Sequence, residues 1–199
     1  MAAAVLRHGN LGDPGYHALH PGNTGGGEKR LPSGAMVGSP DFSEGDHRDA
    51  LKGYQKNSQD LNEYMRHKRL PNGSNEKTIR RESQILDDLI QIQEPSTKPR
   101  TVYRGAKKMD LKVGSVFTDS GFVSTSDSKD VAELFTVMYD EENPGDVLEI
   151  DLPKGTRSVH VPSVKGEDKY GEDERILSPG TSYRVVAKTP NGYKLEVIT

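Results

Sequence analysis

The sequence predicts an α+β fold in which helices come first and many short strands follow. Between Asp46 and Gln93 the apolar residues recur with nearly the period of a helix, and after Arg100 their period changes to two. One further helical stretch, from about Ser128 to Tyr139, interrupts the strands. Helices followed by a run of strands are typical of an α+β domain built around antiparallel sheets.

Length and composition predict one folded domain with a tail. The chain has 199 residues, of which only 32% are hydrophobic, whereas 21 are glycine and 12 are proline. Residues 1–45 are rich in Gly and Pro and show no helical or strand period, so we expect a flexible export signal or linker there. Residues 46–199 are expected to form the folded domain.

Charge and cysteine content exclude several classes of protein. The net charge is −3 and the pI is about 6.1, which gives no general indication of nucleic-acid binding and leaves a local basic patch open. The chain has no cysteine, so disulfides and thiolate metal sites are excluded, and we expect no metal. No apolar run approaches the length of a membrane span.

The helical region predicts three helices before the strands. Two short helices are expected on either side of the polar stretch from Gln55 to Asp60, and Ser58 is the expected N-cap of the second. Pro71-Asn72-Gly73 predicts a turn, and a third helix is expected from about Asn75 to Gln93.

Period-two patterns and short apolar runs predict eight strands after residue 100. They are expected at 101–104, 116–117, 121–126, 147–152, 158–161, 173–177, 182–188 and 193–198.

Two glutamates two positions apart, Glu172 and Glu174, precede the apolar pair Ile176-Leu177. Residues i and i+2 of a strand share one face, so a strand beginning near Glu172 would project both carboxylates together and Asp173 away. Two such carboxylates can divide labour, one stabilising positive charge and the other handling a nucleophile. A solvated acidic loop is the commoner outcome for such a stretch.

Three local motifs occur in a fixed order. Val102-Tyr103-Arg104-Gly105 comes first, then Gly121 to Ser126 with its Ser-Thr-Ser, then Tyr170-Gly171-Glu172-Asp173-Glu174. Together they resemble the Arg, Ser-Thr-Ser, Glu-x-Glu signature of bacterial mono-ADP-ribosyltransferases. This subclass includes binary actin-modifying toxins, Rho-modifying exoenzymes and type III effectors, and the resemblance covers about residues 46–199.

The resemblance implies an ADP-ribosyltransferase-like fold, with N-terminal helices packed on two antiparallel sheets around an NAD cleft. It also implies that NAD is the co-substrate and that ADP-ribose passes to a protein side chain, as in glycosyl transfer. Glu174 would stabilise positive charge on the ribose, with Arg104 and Ser124 as its catalytic partners. The residues that would bind NAD are Arg104, Gly105, Ser124, Phe135, Tyr54, Asn62 and Glu174.

Each of these residues also has an ordinary structural interpretation. Arg104 could be a surface residue at a strand end, and Phe135 and Tyr54 could simply pack in the core. Two features depart from the family pattern, because residues 55–61 lack a second aromatic and Met138 stands where an Arg is common. Both departures favour weaker NAD binding.

Glu172 would select the acceptor. In the related enzymes Glu at this position goes with arginine, and a carboxylate can orient a guanidinium and accept its proton. Tyr170 would contact the target protein.

The resemblance therefore implies a monomeric, arginine-directed transferase, secreted by a bacterium through a type III system into the host cytoplasm. Two alternatives remain open: a weak or inactive binding module with an occluded cleft, and an NAD glycohydrolase. A sugar hydrolase is disfavoured, because its carboxylates flank the scissile bond.

Overall fold

The computed structural model describes residues 42–70, 73–139, 141–164 and 171–198. Most of the 1–45 segment, part of the turn predicted at Pro71-Asn72-Gly73, and Tyr170 lie outside the described residues. No helix within these ranges is both long enough and apolar enough to cross a membrane.

The described elements follow the predicted order. The helices are α1 (Glu44–His67), α2 (Glu76–Gln91) and α3 (Lys129–Tyr139), with a short 3₁₀ helix at Val161–Ser163. The strands are β1 (Arg100–Ala106), β2 (Val116–Asp119), β3 (Val123–Ser126), β4 (Asp146–Leu152), β5 (Val159–His160), β6 (Glu174–Leu177), β7 (Thr181–Thr189) and β8 (Gly192–Ile198). Each predicted helix and strand is present within a few residues of its expected bounds.

The two short helices that were predicted are the two halves of α1, which is kinked between them. Asn57 has non-helical angles (φ −153°, ψ 67°) and kinks the helix where the polar stretch lies. The Asn57 side-chain oxygen accepts from the Asp60 N–H at 3.5 Å, and its amide donates to the Asp60 carboxylate at 2.6 Å. The residue that caps the second half is therefore Asn57, one position before the predicted Ser58.

A capping box begins α1. The Ser43 hydroxyl accepts from the Asp46 N–H at 3.2 Å, and the Asp46 carboxylate accepts from the Ser43 N–H at 3.1 Å. The Ser43 hydrogen bonds, together with Arg81, lower the pKa of Asp46 to about 2. Since Arg81 lies on α2, its ion pair with Asp46 at 2.8 Å also ties the two helices together.

The described strands form one continuous sheet in the order β2-β7-β8-β4-β1-β3-β6-β5. The prediction of two separate antiparallel sheets is wrong, because the sheet is unbroken and β4 and β8 pair in parallel. The α+β class itself is confirmed. A single residue pair, Tyr103 with Ser126, joins β1 to β3, so a five-stranded part and a three-stranded part meet at a narrow junction.

Two cores pack against the sheet. The first is built around buried apolar residues of the five-stranded part that include Val102, Leu148, Ile150, Val185 and Leu195, and it extends to Val123 and Leu177 of the three-stranded part. Helices α1 and α2 cover the three-stranded part, and the second core includes Leu51, Leu86, Ile90, Phe122 and Ile176. Strands β1, β3 and β6, which carry the three motifs, are consecutive in the sheet, and β6 contributes Leu177 to the first core and Ile176 to the second.

Candidate active site

Arg104, Ser124 and Glu174 come together on neighbouring strands at this junction. Arg104 lies on β1, and its Nη1 donates to the Ser124 carbonyl at 2.5 Å. Strand β3 pairs with β6, where Ser126 lies opposite Glu174. The relative exposures of Arg104, Ser124 and Glu174 are 6%, 6% and 4%, so these polar side chains are almost fully buried. Buried polar groups are costly without partners, which makes such a cluster a candidate for chemistry.

Tyr54 connects the helical layer to this cluster. Its hydroxyl lies 2.9 Å from the Ser124 Oγ and accepts from the Asn62 side-chain amide at 3.3 Å. Asn62 in turn accepts from the Phe122 N–H at 2.8 Å. Tyr54 and Asn62, both predicted to line an NAD cleft, are thus buried hydrogen-bonding partners of strand β3 and of the residue before it.

Burial and the charged and polar groups around the Tyr54 hydroxyl shift its pKa. Burial raises this pKa, and the negative charge of Glu174 raises it further. The hydrogen bonds from Ser124 and Asn62 and the positive charge of Arg104 act in the opposite direction. Glu174 and Arg104 therefore both act electrostatically on the hydroxyl that contacts Ser124.

Glu174 begins strand β6 and has a partner that the sequence did not reveal. The Gln55 side-chain amide donates to the Glu174 Oε2 at 3.4 Å. Gln55 belongs to the polar stretch 55–61, which lacks the second aromatic of the family pattern. The sequence signal that could have identified Gln55 is its position directly after Tyr54, at the end of the first half of α1.

The Glu172–Glu174 turn, consisting of Glu172, Asp173 and Glu174, differs from the predicted strand start. Strand β6 begins at Glu174, and Asp173 has a left-handed backbone with φ 48°. The alternation argument for placing Glu172 and Glu174 on one face therefore does not apply. Ser126 Oγ instead donates to the Glu172 carbonyl at 2.7 Å, which keeps Glu172 beside strand β3.

Gly105 allows helix α3 to pack closely on β1. A Cβ at this position would lie 2.3 Å from the Ala132 carbonyl oxygen and 2.6 Å from the Phe135 Cβ. Only glycine fits against backbone at such distances. Phe135 is buried on α3 and lies directly over Gly105, the residue that follows Arg104 in the chain.

A buried ion pair fixes the second half of α1 on the sheet. Arg66 donates to both Asp119 carboxylate oxygens, at 2.7 and 3.0 Å, and also to the Phe122 carbonyl at 3.2 Å. Burial lowers the pKa of Arg66, but the charge and hydrogen bonds of Asp119 outweigh it, so the pKa is raised overall. Sequence analysis did not identify this pair, which holds the helix that carries Asn62.

One group of described side chains lies close enough together to share a metal ion. Single ligand atoms of Asp127, His160 and Asp173 all lie within 4.8 Å of one another. Arg175 and Arg100 both pair with Asp127, at 2.9 and 2.6 Å, and their charges offset the two carboxylates. This compensation weakens the attraction for a cation.

The described chain is an α+β protein in which buried Arg, Ser and Glu side chains lie on adjoining strands of one sheet. The profile of the ADP-ribosyltransferase exoenzyme family matches residues 40–197, and the chain belongs to this family. The predicted resemblance and the predicted ADP-ribosyltransferase fold are thereby confirmed. Among curated proteins no significant match was found.

Several solved structures share the fold. Plx2a, an ADP-ribosyltransferase toxin from Paenibacillus larvae, aligns with a TM-score of 0.61 and 18% identity over 79% of this chain and 88% of its own. Exoenzyme S from Pseudomonas aeruginosa, in complex with human 14-3-3 protein beta and bound to carba-NAD, aligns with a TM-score of 0.58 and 20% identity. The alignment covers 76% of this chain and 72% of that chain. The ADP-ribosyltransferase Vis, in complex with agmatine, aligns with a TM-score of 0.58 and 19% identity, over 79% of this chain and 75% of that chain.

Proposed function

We propose that this protein transfers ADP-ribose from NAD to an arginine of a host protein, as a secreted bacterial effector. The observation that best supports this is the buried Glu174 at the head of β6. It accepts from the Gln55 amide at 3.4 Å, it lies opposite Ser126 in the ladder, and Glu172 precedes it in the same turn. We further propose that the protein is monomeric and reaches the host cytoplasm through a type III system.

The first half of the proposed reaction is loss of nicotinamide. The bond between the nicotinamide nitrogen and the ribose C1′ breaks, and the nitrogen keeps the electron pair, so neutral nicotinamide leaves without a general acid. Positive charge then develops on the ribose. Glu174, preorganised by Gln55 and by its pairing with β3, would stabilise that charge. Arg104 would hold the dinucleotide by its guanidinium fork, and Gly105 and Phe135 would line the nicotinamide end.

The second half is attack by the acceptor. A guanidine nitrogen of the target arginine bonds to C1′ and loses one proton, which the Glu172 carboxylate would accept. The same carboxylate can pair with the guanidinium before attack and so orient it. Tyr170, outside the described residues, would contact the target protein.

Two relatives support the choice of substrates. Exoenzyme S was solved with carba-NAD, an analogue of the dinucleotide, and Vis was solved with agmatine, a small guanidine that resembles an arginine side chain. By similarity of fold, we propose an NAD site and a guanidine acceptor site in this chain.

Substitution of the two glutamates tests the proposal. Glu174→Gln keeps the size of the side chain but removes the charge, so nicotinamide release and transfer to agmatine should both fall on the order of 10²–10³-fold. Glu172→Gln should reduce transfer to agmatine and leave nicotinamide release in the absence of acceptor largely intact. Radiolabelled NAD measures transfer in a reaction with agmatine and nicotinamide release in a separate reaction without acceptor.

Glu196→Gln is the matched control, because Glu196 is an exposed glutamate on β8 that pairs with Arg184. Its rates should equal those of the unaltered protein. Unchanged labelling by Glu174→Gln would contradict the proposed function.

The burial of Arg104, Ser124 and Glu174 favours a second candidate, a weak or inactive module with an occluded cleft. Calorimetry with NAD distinguishes the two. Binding that is absent in the full chain and restored by deleting residues 1–40 supports occlusion. Release of nicotinamide with no labelled acceptor in host-cell lysate would instead support an NAD glycohydrolase.

A further inference from the structure

The Glu172–Glu174 turn is held at each of its three residues. The Glu172 carbonyl accepts from Ser126 Oγ at 2.7 Å, and the Asp173 carbonyl accepts from the Asp127 N–H at 3.1 Å. Glu174 is held separately, because it lies in the antiparallel ladder opposite Ser126. These contacts fix the backbone of the turn against the end of β3.

Asp173, the middle residue, is fixed by its side chain as well. Its Oδ1 lies 2.7 Å from Nε2 of His160, whose Nδ1 lies 2.6 Å from the Ser163 Oγ. Asp173 also adopts the left-handed conformation with φ 48°, which only Gly, Asn and Asp visit readily. The carboxylate of Asp173 therefore secures a backbone conformation that sets the direction of the chain between the two glutamates.

Asp127 provides the fixed point for this arrangement. Arg175 donates to both Asp127 oxygens at 3.1 and 2.9 Å, and Arg100 donates at 2.6 Å. Arg175 also lies opposite His160 in the pairing of β5 with β6. The backbone N–H of Asp127 donates to the Asp173 carbonyl, and the Asp127 side chain is itself held by arginines on two strands, β1 and β6.

We propose that Asp173 and His160 are a pair of positioning residues that hold Glu172 in place for the acceptor arginine. This rests on the proposed function. The pair does not contact the reacting atoms, and it acts by fixing the turn from which Glu172 projects. Because the ladder holds Glu174 independently, loss of the pair should impair transfer to the acceptor and spare the cleavage of NAD.

Asp173→Gly and His160→Ala test the pair. Glycine adopts positive φ without strain, so Asp173→Gly removes the side-chain contact and leaves the left-handed backbone accessible. Each variant should lower kcat/KM for transfer to agmatine about tenfold or more, and should change kcat of nicotinamide release without acceptor less than about twofold. The double variant should be no worse than either single one, since both remove the same contact.

Two further variants separate positioning from general structural damage. Asp173→Asn keeps the left-handed preference and an acceptor for His160, so it should restore most of the transfer activity. Asp151→Asn removes another carboxylate that pairs with a neighbouring side chain, Lys194 at 3.0 Å, on strands away from the turn. It should behave as the unaltered protein, and melting temperatures check that all variants are folded.

Hydrogen exchange at the Asp127 amide gives a readout that does not depend on activity. Asp173→Gly and His160→Ala should exchange faster there, because the amide donates to the Asp173 carbonyl. If the unaltered protein does not transfer ADP-ribose to agmatine, the proposed function fails, and the exchange rates alone then decide whether the pair fixes the turn.

Three results would overturn the inference. The first is equal loss of transfer and nicotinamide release in both single variants. The second is unchanged transfer together with unchanged exchange. The third is loss of wild-type transfer in EDTA with recovery on adding Zn²⁺, which would assign Asp127, His160 and Asp173 to a metal site.

Discussion

The Tyr54 hydroxyl on helix α1 contacts Ser124, the first serine of the Ser-Thr-Ser motif. It lies within hydrogen-bonding distance of Ser124 Oγ and accepts from Asn62. A buried polar group that loses its partner costs about 1–3 kcal/mol, so both neighbours depend on this hydroxyl. Tyr54 therefore has a role beyond packing between helices.

Tyr54→Phe should lower kcat/KM for NAD cleavage roughly tenfold, since about 1.4 kcal/mol of positioning energy corresponds to a factor of ten. Tyr64→Phe is the matched control, because Tyr64 is buried on the same helix but donates to Glu76 at 2.8 Å, outside the site. Nicotinamide release measures the effect. If the two variants have equal activity, Tyr54 serves packing alone.

The residues of the site that sequence analysis identified are those with a chemical signature. Arg104, Ser124 and Glu174 stand in motifs whose order along the chain is recognisable, and the structure brings them together. Gln55 and Arg66 have no local signature, because the partner of Gln55 lies 119 positions away and that of Arg66 lies 53 away. Such contacts follow from tertiary packing, which periodicity does not encode.

Helix α1 shows how capping side chains set an element's bounds. Ser43 and Asp46 cap its start, and Asn57 caps its second half after the kink. Sequence patterns predicted a break here but placed the cap at Ser58, since Ser and Asn are almost equally good N-caps. The pairing of β4 with β8 was missed for a related reason, because alternation within a strand does not reveal the direction of its neighbour.

The lowered pKa of Asp46 predicts a pH dependence for this element. Its pKa falls from 3.8 to about 2 in the folded protein, so its contribution to stability is complete above about pH 4 and is lost as the pH falls towards 2. Asp46→Asn should therefore lower the melting temperature at pH 6, and the difference from the unaltered protein should shrink towards pH 2.

Calorimetric melting at several pH values checks this expectation. Glu44→Gln is the matched control, since Glu44 is an acid in the same first turn and leaves the capping box intact. A difference for Asp46→Asn that stays constant down to pH 2 would show that the capping carboxylate does not stabilise α1 through its charge.

At the scale of the whole molecule, the five-stranded and three-stranded parts of the sheet meet at the single residue pair between β1 and β3. Arg104 belongs to the five-stranded part, whereas Ser124 and Glu174 belong to the three-stranded part. A dinucleotide held by all three would therefore connect the two parts of the sheet. Ligands that bind only the folded state stabilise it by mass action, in proportion to the logarithm of their concentration.

Carba-NAD is the suitable probe, because a carbocycle in place of the ribose cannot form the oxocarbenium ion and the analogue stays intact. At about 100 times its Kd it should add about 2.7 kcal/mol, which raises the melting temperature of a domain of this size by roughly 5–10 °C. Arg104→Lys should lose most of this shift, because lysine lacks the guanidinium fork that spans two phosphate oxygens. Arg184→Lys, at an exposed arginine on β7, should retain it. If millimolar carba-NAD leaves the melting temperature of the full chain unchanged, the cleft is closed to the dinucleotide and the occluded module is the better description.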